Sequence, residues 1–179
     1  FGSAADLKEL ELVGGDGDDL VVGGSGNDVL HGGAGDDVVE FASGDGDFVS
    51  GDSGVDRMLL VDTGLDFSAV ADAAITAIEI LDLGTGDAAR SVTLAAADVL
   101  DFEATTGLAE DVSGGAGTID LVVRGDSTDV VSLDADGGTA WALAGSQVLD
   151  DAYGGATFDL YTNGSEWVAV EQGIVVGTP

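Results

Sequence analysis

Residues 14–40 read GGDGDDLVV GGSGNDVLH GGAGDDVVE, three successive copies of a nine-residue frame, G-G-x-G-x-D-x-U-x, in which U is a large apolar residue. The copies occupy 14–22, 23–31 and 32–40. With Phe41 taken as a one-residue insertion, a fourth copy at 42–50 keeps Asp47 and Val49 without the paired glycines. A fifth, at 51–59, keeps Gly54, Asp56 and Met58. The series Asp19, Asp28, Asp37, Asp47, Asp56 is spaced nine, nine, ten and nine residues, and beside it runs an apolar series, Leu20 with Val22, then Val29, Val38, Val49 and Met58. A fixed period in both polar and core positions marks stacked repeats. One copy makes half a coil, so copies one and three are expected on one edge and copies two and four on the other.

Each residue type in the frame has a physical reason. Glycine tolerates positive φ, so the first six residues can turn tightly and aim carbonyl oxygens at one point, where the Asp closes the site. Calcium takes six to eight oxygens in flexible geometry, a number that carbonyls and carboxylates of two stacked turns can supply. Positions seven to nine form a short strand with its apolar side chain inward. A single glycine- and aspartate-rich run would read as a flexible acidic linker. Three exact tandem copies argue against that, because a linker has no reason to keep an apolar residue behind each Asp.

These copies resemble the RTX (repeats-in-toxin) family of type I secreted bacterial proteins. The resemblance implies a parallel β-roll, a β-solenoid with calcium between its turns. It also implies a ligand set. One turn gives the carbonyls of its second and fourth residues and its sixth-position Asp; the facing turn gives its first and third carbonyls and its fifth side chain. Here the first group is Gly15, Gly17 and Asp19, or Gly24, Gly26 and Asp28, or Gly33, Gly35 and Asp37, and the fifth side chains are Asp18, Asn27 and Asp36. Copies four and five have Gly46 and Val55 at the fifth position, so they offer Asp47 and Asp56 alone. About two or three calcium ions are expected, the last site being weakest.

Composition points the same way. The chain has 179 residues, 35 acidic against 4 basic, no Cys and one Pro. A net charge of −31 strains a compact fold by self-repulsion unless cations neutralise part of it, and at 45% apolar residues this is no disordered polyacid. Absence of Cys fits a secreted bacterial protein that folds without oxidation. The sequence shows no basic-plus-apolar leader and begins at Phe1, so a piece of a longer precursor is expected. Lys8, Arg57, Arg90 and Arg124 form no cluster in sequence, which argues against nucleic acid as a partner. No apolar run approaches the roughly 20 residues of a membrane span.

Beyond Leu59 the frame dissolves and the strand character persists, at 58–61, 78–83, 91–94, 119–123, 130–133, 157–161 and 167–170. Two short Ala-rich stretches, 68–78 capped by Ser68 and 95–100, are the best helix candidates. The expected class is all-β: an N-terminal strand or cap at 1–13, the roll at 14–60, and at 61–179 a β-rich continuation or cap. Within the last part, parallel coils are expected to about Leu133 and an irregular β cap beyond, a separate small sandwich being the competing arrangement. Residues 66–176 resemble a region near the C-termini of large type I secreted adhesins, in the runs DFSAVADAAITAIEILDLGTG, VTLAAADVLD and VVRGDSTDVVSLD. That resemblance implies a setting rather than an activity.

Other motifs carry little chemistry. Arg124-Gly125-Asp126 reads as a strand-to-turn corner, Asn163-Gly164-Ser165 as a chance sequon, and Asp134-Ala135-Asp136-Gly137 as a turn, because Gly145 stands where an EF-hand loop needs its Glu. His31, the one histidine, reads as an outward strand residue rather than a general base. Without Cys there is no thiol nucleophile, and no acidic pair stands out as catalytic. The expectation is a non-enzymatic calcium-binding structural module of an extracellular or cell-surface bacterial protein, whether adhesin, surface layer or fibre. The alternatives are a self-assembling filament or surface-layer subunit with calcium-stabilised contacts, and a carbohydrate-binding accessory module of a secreted enzyme. Trp141, Tyr153, Tyr161 and Trp167 are assigned to core and cap rather than to a glycan-facing surface.

Overall fold

The computed structural model describes residues 9–42, 47–70, 74–84, 88–101, 119–135, 139–149 and 155–177. Lys8, Gly46, Asp136, Gly137 and Tyr153, singled out above, lie outside them.

The strands follow the nine-residue period and alternate between two walls. On one, β1 (Glu11–Asp16), β3 (Val29–Ala34), β5 (Phe48–Ser53) and β8 (Ile75–Thr76) pair in parallel. On the other, β2 (Leu20–Val21), β4 (Val38–Phe41), β6 (Arg57–Leu60) and β9 (Ile80–Asp82) do the same. Copies one, three and five thus share one wall, and copies two and four the other. Partners stand 18 residues apart at first, as in Leu20 opposite Val38, then 19 apart, as in Val38 opposite Arg57. The extra residue is absorbed after Val38 with no loss of pairing: Phe41 stays in β4, opposite Leu60, and is buried.

The eighth position of the frame, two places after each Asp, faces inward, and the early residues named in the apolar series, Leu20, Val22, Val29 and Val38, stand one place off it. Val21, Leu30, Val39, Val49 and Met58 are buried, whereas Leu20 is 67% exposed and Val22, Val29 and Val38 are not fully buried. Strand side chains alternate between faces, so the eighth position points inward and the seventh cannot.

Past Leu60 the coils lengthen. Arg57 and Ile80, partners across β6 and β9, are separated by 23 residues, and a third sheet opens: β7 (Gly64–Asp66), β10 (Ser91–Ala95), β12 (Val130–Asp134) and β16 (Val175–Gly177), all parallel. The wall of β2, β4, β6 and β9 extends through β11 (Leu121–Arg124) to β15 (Trp167–Glu171), then turns antiparallel through β14 (Thr157–Thr162) and β13 (Ala142–Val148). The sheets therefore do not form one uniform solenoid. Parallel pairing continues to β16, which joins β12, while β14 and β13 extend the long sheet in antiparallel pairing with a register shift between Leu143 and Gly145. One hydrophobic core joins Val21 in the first repeat to Ile174 near the end. A second cluster lies on the outer face of the long sheet, where Ile80, Val122 and Ala169 meet Phe158 and Leu160. Trp141 is buried in the main core, Tyr161 packs against it, and Trp167 joins the second cluster.

The helix expected at 95–100 is present as α1 (Ala96–Asp101). Among the described residues of 68–78, which exclude 71–73, there is no α-helix. A single 3-10 turn spans Phe67–Ala69, and Asp66 rather than Ser68 caps it, accepting hydrogen bonds from the Ser68 amide and hydroxyl. Ile75 and Thr76 instead join β5, where Ile75 is buried opposite Val49. Both are β-branched, and pairing with a preformed edge outweighs the modest helix preference of the alanines.

Leu121 is fully buried in the core, and Leu143 on β13 is 61% exposed. Leu121→Ala should lower unfolding stability by about 2–5 kcal/mol and Leu143→Ala by no more than about 0.5 kcal/mol, measured by denaturant titration in calcium.

Candidate metal centre

The first six residues of each copy make the turns between walls. Gly33 and Gly35, at the second and fourth positions of copy three, have φ of 119° and 130°, which explains the need for glycine there. In copy five the second glycine is replaced by Asp52, which still adopts φ 70°. Its carboxylate accepts from Ser50 Oγ at 2.8 Å and lies 3.1 Å from His31 Nδ1. His31 is thus a half-buried strand residue paired to the facing coil. The first-position glycines serve a different need. A Cβ on Gly14 would lie 2.8 Å from Asp19 Oδ2 and 2.5 Å from the carbonyl oxygen of Gly32, and at Gly32 it would collide with Asp37 Oδ2. Only glycine leaves room for the carboxylate and the next turn's carbonyl.

The sixth-position acids form two ladders. Asp37 Oδ1 accepts from the Asp19 amide at 2.7 Å, and Asp56 Oδ1 from the Asp37 amide at 2.8 Å. On the opposite edge, Asp28 Oδ1 accepts from the Leu10 amide and Asp47 Oδ1 from the Asp28 amide, each at 2.9 Å. Fifth-position acids reach the other way: Asp18 Oδ1 accepts from the Asp36 amide at 3.0 Å and Asp36 Oδ1 from the Val55 amide at 2.9 Å. Asp18 and Asp37 thus each link copies one and three, and Asp36 and Asp56 link copies three and five, where the Asp36 charge acts on Asp56. Asp19 stands on the first turn, half-buried, and Gly15, Gly17, Gly24 and Gly26 carry positive φ in the first two turns. Asn27 is exposed on the turn that leads into buried Asp28.

Asp28, Asp37, Asp47 and Asp56 are all buried, and the second oxygens of Asp28, Asp37 and Asp56 have no hydrogen-bond partner. An ionised carboxylate in that state is costly unless a cation meets its free oxygen. Burial pushes the Asp56 carboxyl up to about 7, opposed by the hydrogen bond from the Asp37 amide and reinforced by the charges of Glu79, Asp37 and Asp36. Among the described residues no three acidic or histidine side chains converge as a metal cage. The donors fit a site of one or two carboxylates completed by backbone carbonyls, which suits a hard, geometrically tolerant ion such as calcium.

One member of the ladder was not anticipated. Glu79, outside any repeat, is buried, and its Oε2 accepts from the Asp56 amide at 2.6 Å. Its only sequence signal is the order Glu79-Ile80-Leu81, which matches Asp56-Arg57-Met58 in placing an acid two residues before an inward apolar one.

Residues 13–47 match the family model of RTX calcium-binding nonapeptide repeats, in four copies. Asp56 lies beyond the matched stretch. No curated protein and no solved structure matches the chain. Among the described residues no helix is long and apolar enough to cross a membrane.

The raised Asp56 carboxyl gives the metal-free chain a definite pH dependence. The folded form holds the proton up to about pH 7 against an ordinary value of 3.8, so the folded state binds more protons between these limits. Stability should therefore rise as pH falls from 7 toward 4 and flatten above 7. Circular dichroism of calcium-free protein at pH 8, 7, 6 and 5 checks the sign: strand content should rise down the series, and strand content that fell would contradict it.

Proposed function

We propose that the chain is a non-enzymatic, calcium-dependent structural module of a type I secreted extracellular bacterial protein, a segment of an adhesin, surface layer or fibre. In this reading the repeat is a parallel β-roll with calcium between its turns. The observation that carries it is the set of buried carboxylates at Asp28, Asp37 and Asp56, each with one oxygen held by the neighbouring turn and the other without a partner. In a calcium-poor cytosol these acids oppose closure of the turns, and the chain stays fit for export. Calcium bound outside the cell supplies the charge that lets them remain ionised while buried. Stacking of the turns then offsets an ordering cost of about 1.5 kcal/mol per residue.

A second reading, end-to-end self-assembly, is favoured by the first turn. Among the described residues β1 and β2 are edge strands. Val13 and Leu20 are exposed there, beside a cavity of about 310 Å³ lined by Leu12, Val13, Gly14, Leu20, Val21 and Val22. Unpaired strand edges with apolar neighbours are templates for another strand. A carbohydrate-binding role has less support: Trp141, the first candidate for a sugar platform, is buried with its indole N–H donated to the Asp134 carbonyl at 3.0 Å.

Circular dichroism should show strand content that appears with millimolar calcium and is lost with EGTA; an identical β spectrum in both would refute the folding switch. Asp28→Ala combined with Asp37→Ala should lower the number of calcium ions bound per chain, read by equilibrium dialysis. Size-exclusion chromatography in calcium separates the two assembly states: one molecular mass independent of concentration supports the monomeric module, and mass that grows with concentration supports assembly.

A further inference from the structure

We propose that Glu79 is a cation ligand, so that the metal-binding edge runs one turn beyond the last nonapeptide and closes on an acid no repeat contains. The inference rests on the calcium reading of the repeats and extends it to the region that follows them.

Its basis is a stack of equivalent positions. The carbonyl of Gly32 packs over Gly14, that of Gly51 over Gly32, and that of Ala77 over Gly51, so Ala77 occupies the first position of a further turn. The acids follow the same order. The amide of Asp19 donates to Asp37, that of Asp37 to Asp56, and that of Asp56 to Glu79. In the repeats the acid lies five residues after the first-position glycine, as from Gly51 to Asp56; from Ala77 to Glu79 it lies two residues on. The last turn is thus three residues shorter.

Three features of this turn point to a ligand. Glu79 is 2% exposed, and its Oε1 has no hydrogen-bond partner, the same condition as Oδ2 of Asp28, Asp37 and Asp56. Glu79 carries one methylene more than Asp, so its carboxylate reaches the ladder although the backbone that would have brought it there is missing. Ala77 adopts φ 53°, a left-handed conformation unfavourable for a residue with a Cβ, and in that conformation its carbonyl lies over Gly51. Glu79 thus offers a buried carboxylate with one satisfied and one free oxygen, and the Ala77 carbonyl meets Asp56 Oδ2 at Gly51 as the Gly51 carbonyl meets Asp37 Oδ2 at Gly32. The ligand class is a hard divalent cation, and calcium is the member the preceding turns select.

The competing role for Glu79 is a plug that only accepts the Asp56 amide. Glu79→Gln keeps an oxygen for that amide and removes the charge, which separates the two. Calcium bound to the full chain is counted by equilibrium dialysis, with circular dichroism at saturating calcium as the check on folding, and Asp37→Asn is the internal reference. The expected result is that Glu79→Gln binds one calcium fewer, or loses at least tenfold in its weakest binding step, with strand content retained. Wild-type binding in Glu79→Gln alongside a deficit in Asp37→Asn would overturn the role of Glu79 and leave the repeat reading intact. Wild-type binding in both would overturn the two together. Should Glu79→Gln fail to fold, Glu79→Asp keeps the charge and withdraws it by one methylene: weakened calcium binding with an intact fold supports the ligand role, and wild-type binding overturns it.

Discussion

The structure depends on one hydrogen bond repeated from turn to turn: a buried acid accepts the amide of the residue that holds the same place one coil earlier. It appears at Asp37, Asp56 and Glu79 along one edge and at Asp28 and Asp47 along the other. The bond fixes the register of stacked coils, because an acid displaced by one residue would meet no free amide. It also creates the main electrostatic difficulty of the fold. A carboxylate that has exchanged water for a single amide is poorly solvated, and its neighbours on the ladder carry the same sign. Coil stacking and cation demand are thus one feature.

The limits of the ladder follow from backbone length. While turns recur every 18 or 19 residues, each acid meets the amide of its predecessor with an aspartate arm. When the spacing from Asp56 grows to 23 residues and the turn itself shortens, a glutamate takes over. Beyond that, Ile80 and its partner Val122 are 42 residues apart, and the chain between them contributes β10 to a third sheet. A related device persists there: Asp129 is buried and accepts from the Arg90 amide at 2.8 Å, so an acid still marks the entry to a strand of the third sheet.

Much of this was legible in the sequence. The frame fixed the coil length, the alternation of walls and the acids that face each other, because its glycines and aspartates have almost no other joint use. Six strands after the repeat were legible from their apolar, β-branched and aromatic composition. The identity of the inward residue was not read correctly in the first copies, where apolar residues occupy both positions seven and eight and only alternation set against the turn decides between Leu20 and Val21. The segment 68–78 was misread because Ile75 and Thr76 have a partner 26 residues earlier that no local propensity reports. Glu79 escaped notice because its role depends on a shortened turn, a length difference invisible until Ala77 is seen over Gly51.

Charge compensation divides the chain in two. No Lys or Arg occurs between Lys8 and Arg57, so the repeat must neutralise its acids from outside, His31 with Asp52 being the internal pair the structure provides there. From the fifth copy onward the cations return to acid or carbonyl partners. Arg57 meets Asp82 at 3.1 Å, Arg124 meets Glu171 at 3.5 Å, and Arg90 donates to the Leu83 carbonyl at 2.6 Å. These contacts tie β6 to β9 and β11 to β15, strands whose spacing has left the nine-residue register. Where the coil is short and regular, an external cation can serve every turn alike; where each crossover is unique, a dedicated arginine does the work. Glu79 stands at the boundary between these two regimes, one turn after Arg57 first enters the sequence and one turn after the last nonapeptide acid.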